Sequence, residues 1–123
     1  MYELTVQLEF AAAHHLRGHP GKCSHLHGHN YRVEVMVSGA QLDESGMLVD
    51  FGRLRQICDH IVAELDHSLL NDHPSFQQNN PTVENIARYL YTQIAEALTN
   101  TEVSLAAVRV WESATSAATY REA

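Results

Sequence analysis

The chain has 123 residues, 45% of them apolar and 19% charged, with a formal net charge of -7. Those values fit one globular domain over residues 1–123 and argue against a general binder of nucleic acid or anionic membrane. No apolar run reaches membrane-spanning length, no signal peptide precedes the first strand pattern, and two cysteines make no disulfide framework, so cytoplasmic residence is the expectation.

Residues 2–10 alternate, with Tyr2, Leu4, Val6, Leu8 and Phe10 apolar and Glu3, Thr5, Gln7 and Glu9 polar. This is the period of a half-buried strand. Residues 11–28 read as a His- and Gly-containing loop around Pro20-Gly21, and residues 29–38 as a second strand. Gly39 to Gly46 reads as a turn region. Asp50 suits the N-cap of a helix of about four turns. Its apolar face is Phe51, Leu54, Ile57, Cys58, Ile61 and Leu65, and Asp66-His67 ends it. A loop follows through Asn71, Pro74, Asn79 and Pro81. Thr82 then caps a second helix with Ile86, Leu90, Ile94 and Leu98 on one face. Residues 105–112 return to strand character, and residues 117–121 are a short fourth strand. Strands at both ends of the chain favour an α+β fold, an antiparallel sheet with two helices on one face. Its open edges suit pairing in an oligomer.

Three histidines carry the chemistry. If the first strand runs on, His14 shares its buried phase. His27 and His29 precede Tyr31, Val33, Val35 and Val37 on one phase of the second strand. Antiparallel pairing brings the end of the first strand beside the start of the second, so three imidazoles converge. Imidazole suits zinc, and three protein ligands with one open position describe a catalytic zinc site. His15, His19 and His25 fall off these phases.

Cys23 has two readings. It is a fourth ligand closing a structural site, or a reactive thiol made more acidic by Lys22 and a nearby metal. Cys58 lies on the apolar helix face and reads as a core thiol. Asp66-His67 is either a histidine placed at a helix C-terminus or a carboxylate charging an imidazole for proton transfer. Glu112 continues the phase of Ala106, Val108 and Val110. It is solvated if the strand stops at Val110. If it points inward, it suits a ligand with adjacent N–H donors.

Together these residues resemble the 6-pyruvoyl-tetrahydropterin synthase and 6-carboxytetrahydropterin synthase family. The matching pieces are Phe10 to Leu16, Cys23 to His29, Val49 to Phe51, Leu65-Asp66-His67, Leu70-Asn71, Asn80-Pro81-Thr82 with Glu84, and Glu112 to Thr115. The resemblance implies the tunnelling fold, order ββααββ, with a four-stranded antiparallel sheet and subunits joined into trimers and hexamers. It implies zinc on His14, His27 and His29, a catalytic thiol at Cys23, and a proton-transfer pair at Asp66 and His67. It also implies that Glu112 anchors a pterin ring with Thr115 nearby. Three residues separate Cys23 from His27, which resembles the carboxytetrahydropterin branch. The implied reaction turns 7,8-dihydroneopterin triphosphate and water into carboxytetrahydropterin, acetaldehyde and triphosphate, toward deazapurine nucleosides including queuosine. The rival readings are triphosphate elimination to pyruvoyl-tetrahydropterin and a non-catalytic zinc module.

Overall fold

The computed structural model describes residues 1–122. Strands β1 (Tyr2–His14) and β2 (His27–Gly39) form a long antiparallel pair in which Ala12 faces His29 and His14 faces His27. Helix α1 (Phe51–Val62) follows, then the short strand β3 (Ser68–Leu69), helix α2 (Val83–Ala97), and strands β4 (Ser104–Trp111) and β5 (Ala117–Tyr120). The sheet order is β3-β1-β2-β4-β5.

Both helices cover one face of the sheet, as their apolar spacing predicts. Leu54, Cys58 and Val62 of α1 and Ile86, Ala87, Leu90, Tyr91 and Ile94 of α2 are buried. They join Val6, Leu8, Phe10, Tyr31, Val33, Val35, Val108 and Val110 in one hydrophobic cluster. Burying a Leu, Ile, Val or Phe side chain contributes about 1.5–3 kcal/mol, so this layer dominates the fold's stability. The predicted caps form: Asp50 accepts from the Arg53 N–H at 3.0 Å and Thr82 from the Asn85 N–H at 3.1 Å.

The sheet departs from expectation in strand number and direction. It has five strands rather than four, and β3 runs parallel to β1, pairing with Ala12 and Ala13. A two-residue strand held by its main chain leaves no periodic signal in its side chains. The first two strands also extend into the predicted loop, because β1 and β2 pair all the way to His14 and His27. Helix α1 ends at Val62 rather than continuing to Asp66. Tight bonds from Glu64 N–H to Ile61 and from Leu65 N–H to Val62 close its last turn. His67, in the left-handed region at φ 57°, then redirects the chain into β3. Leu65 is fully buried from this turn, which is why its apolar spacing mimics a longer helix. Among the described residues, no helix is long and apolar enough to cross a membrane.

Candidate metal centre

The converging phases place three imidazoles together at one end of the inner sheet face. Ring centroids of His14 and His27 lie 4.5 Å apart, His27 and His29 4.9 Å, and His14 and His29 5.1 Å, all edge to face. His14 is 1% exposed. Tyr31, also on that phase, is fully buried beneath them and stacks on Phe10 at 4.7 Å. Burial holds its phenol well above the ordinary tyrosine range, so it stays neutral.

The hydrogen bonds settle which nitrogens face inward. His14 Nδ1 donates to the Pro81 carbonyl at 2.7 Å, and His27 Nδ1 donates to the His25 carbonyl at 2.6 Å. A carbonyl only accepts, so both Nδ1 atoms carry a proton, and Nε2 is the nitrogen that each ring leaves to face inward. Those two Nε2 atoms stand 3.0 Å apart. Two lone pairs at that distance repel, and a metal ion facing both relieves the repulsion. Ligands at 2.0–2.1 Å around a tetrahedral zinc are about 3.3 Å from one another, close to the separation found. His29 Nε2 is buried and makes no hydrogen bond among the described residues, although Glu112 Oε1 stands 2.9 Å away. The same oxygen is 3.7 Å from His14 Nε2. All four donor atoms lie within 4.8 Å of one another, a set that fits a divalent metal.

Protonation agrees with that fit. Burial pushes His14 below the ordinary histidine value, against its bond to Pro81, and His27 and His29 push the same way. Burial also lowers His29, more than the Glu112 carboxylate raises it. Both rings are therefore kept neutral, the form a metal needs.

The structure does not bring every predicted residue into this group. Cys23 sits half-buried in a 3₁₀ turn, Lys22–Ser24, and its thiol is not among the converging donors. The fourth donor is Glu112, so the closed site of three histidines and Cys23 does not form. Gly21 opens this turn at φ 88°, a conformation that favours glycine. Glu112 points inward because Val108 and Val110 are buried on its phase, and its N–H donates to Ser116 across the hairpin that follows. Thr115 lies on that hairpin, its N–H donating to Ser113 Oγ at 3.3 Å.

Asp66 and His67 lie beyond α1 rather than at its C-terminus, and they dock on the main chain of Ala11. Asp66 Oδ1 accepts from the Ala11 N–H at 2.8 Å, and the His67 N–H donates to the Ala11 carbonyl at 2.6 Å. The other Asp66 oxygen meets His67 Nδ1 at 2.9 Å. The Ala11 bond, with His67, holds the Asp66 carboxyl below the usual carboxylate range. His67 and His29 both line an open cleft of about 500 Å³ with Ala11, Ala13 and Asn30. Cys58 is the core thiol expected, pushed up to about 12 by burial. Sequence reasoning passed over Pro81, whose carbonyl sets the His14 tautomer; its one signal was the Asn80-Pro81-Thr82 run ahead of a helix cap.

Fold and site together define an α+β protein with a three-histidine, one-carboxylate centre suited to a divalent metal. Residues 3–123 match the family model described as 6-pyruvoyl tetrahydropterin synthase. The 6-carboxy-5,6,7,8-tetrahydropterin synthase of Bacillus subtilis is 37% identical over 127 residues, covering 98% of this chain and 85% of that protein. The protein of the same name from Synechocystis is 39% identical over 125 residues, covering 98% and 93%. The solved 6-pyruvoyl tetrahydropterin synthase of Caenorhabditis elegans superposes with a TM-score of 0.85 at 27% identity, over 100% of this chain and 98% of that one. The chain belongs to the 6-pyruvoyl tetrahydropterin synthase family and has its tunnelling fold.

Proposed function

We propose that this protein is a zinc-dependent lyase that converts 7,8-dihydroneopterin triphosphate and water to 6-carboxy-5,6,7,8-tetrahydropterin, acetaldehyde and triphosphate. The observation that carries the reading is the convergence of His14, His27, His29 and Glu112 in a chain with 6-carboxytetrahydropterin synthases among its relatives.

His14, His27 and His29 hold the metal in this reading, and zinc supplies a Lewis acid for the oxygens of the substrate side chain. Cys23, as a thiolate, removes a carbon-bound proton made acidic by the conjugated ring. His67 moves a second proton at Nε2 while Asp66 holds Nδ1. Three imidazoles suffice for a catalytic zinc with one position open. In this reading Glu112, although close enough to be a fourth donor, is not a ligand, and its carboxylate accepts two parallel N–H bonds from the pterin, with Thr115 nearby. Assembly of the single domain into trimers and hexamers, cytoplasmic residence and a place in queuosine synthesis belong to the same proposal.

Likeness to the C. elegans protein favours a second reading, elimination of triphosphate to 6-pyruvoyl-tetrahydropterin. The three-residue gap between Cys23 and His27 supports the carboxy product. Zinc-loaded protein incubated with dihydroneopterin triphosphate, with products read by mass spectrometry, separates the two. Acetaldehyde with carboxytetrahydropterin is expected. The pyruvoyl product alone establishes the second reading, and no turnover leaves a metal-binding module.

A further inference from the structure

β1 does not stop working as a strand at His14. From Ala11 along the edge away from β2, and on past the end of β1 to the turn at Arg17, the main chain is tied almost residue by residue. Asp66 and His67 satisfy the N–H and carbonyl of Ala11, and β3 pairs with Ala12 and Ala13. Beyond the last strand pair, two asparagine side chains take over. Asn71 Oδ1 accepts from the His15 N–H at 2.9 Å while its Nδ2 donates to the His15 carbonyl at 2.9 Å. Two residues on, Asn80 Oδ1 accepts from the Arg17 N–H at 3.0 Å and its Nδ2 donates to the Arg17 carbonyl at 2.8 Å. A carboxamide presents one acceptor and a pair of donors, so each asparagine reproduces what a neighbouring strand would offer a residue on that edge. The residues between are tied as well. His14 reaches the Pro81 carbonyl, and the Leu16 N–H donates to the Cys23 carbonyl at 2.8 Å.

We propose that Asn71 and Asn80 are positioning residues that continue β1 past its end and so hold the metal ligand His14 and the Cys23 turn in one fixed relation. Asn80 adjoins Pro81, so the clamp on Arg17 and the carbonyl that sets the His14 tautomer move as one unit. Asn71 is 8% exposed, and its carboxamide would be costly there without both partners. Both carboxamides are taken up by the main chain of His15 and Arg17, so their effect passes through it. The inference rests in part on reading the histidine group as a metal site.

The test compares Asn80→Ala, Asn80→Asp and Thr82→Ala in the full chain. Asn80→Asp keeps the acceptor for Arg17 N–H and loses the donor to its carbonyl. Thr82→Ala loosens the start of α2, through which Asn85 holds the Asn80 carbonyl, but leaves both carboxamide bonds to Arg17 in place. Two readouts follow in each: the cobalt dissociation constant, with the absorption bands of the bound ion, and the alkylation rate of Cys23, which the buried Cys58 does not obscure. Loss of a group that orients a ligand weakens metal binding about 10-fold or more. Asn80→Ala is expected to show that loss and a several-fold faster alkylation, with Asn80→Asp between it and wild type. If Asn80→Ala does not fold, Asn80→Asp alone must depart from wild type in both readouts. The proposal is overturned if the asparagine variants match wild type, or if Thr82→Ala at equal thermal stability reproduces their changes. Failure of wild type to take up cobalt refutes the metal reading instead, and the alkylation arm still decides the clamp.

Discussion

Acidifying the metal-free protein should destabilise it over a defined interval. His14 is almost fully enclosed, and the His29 side chain is 23% exposed. Both are held below the ordinary histidine value, chiefly by burial. In the unfolded chain each ring takes up a proton near pH ~6.5. In the fold each resists until a lower pH, so below ~6.5 the unfolded state binds more protons and stability falls with pH. A proton taken up by the unfolded chain alone contributes a slope of about 1.4 kcal/mol per pH unit, so the two rings give a ceiling of about 2.8. The slope disappears once pH drops below both folded values. Asp66 works in a separate window: its depressed carboxyl contributes stability above its unfolded value near ~3.9, which is lost as pH falls further. Urea denaturation of chelator-treated protein at constant ionic strength, from pH ~7.5 to ~5, reads the slope directly. His29→Asn should remove about half of it. Stability that stays level or rises between pH ~6.5 and ~5.5, or a slope unchanged in His29→Asn, would refute the assignment of buried neutral imidazoles.

Three further outcomes follow. Cys23→Ala should keep stoichiometric zinc by elemental analysis while turnover falls about 10²-fold or more, as loss of a proton-transfer group does; lost zinc would return Cys23 to the ligand set. Asp66→Asn should lower kcat by a comparable factor of about 10² with zinc retained, and shift the pH–rate profile; an unchanged profile would remove the pair from proton transfer. Leu90→Ala, at a fully buried position of α2, should cost about 2–5 kcal/mol in urea denaturation and leave zinc stoichiometry intact.

The parts of the fold that rest on side-chain period were legible from the sequence. Alternation located β1, β2 and β4, and the apolar stripes with Asp50 and Thr82 located both helix starts. What escaped depends on main-chain pairing. Ala11 to Ala13 carry no alternation, yet the partner strand keeps them extended, and β3 is made by register alone. Leu65 misled because burial continues after the helical bonds end. A bulge opposite Met36 and Val37 puts Ala106 out of step, while Val108, Val110 and Glu112 keep the phase that aims the carboxylate inward. Asn71 and Asn80 stand out only as pieces of the family resemblance, with no role attached, since nothing in sequence shows which backbone a carboxamide will meet.

The two carbonyls that fasten His14 and His27 have a consequence for how fast a metal is captured. Each ring gives up its freedom to flip, and the choice between its two tautomers, when the chain folds. Little conformational entropy remains to be lost when an ion arrives, so the protein's own reorganisation contributes little to the association barrier. The rate of loading then belongs to the ion, and to how readily it sheds its water.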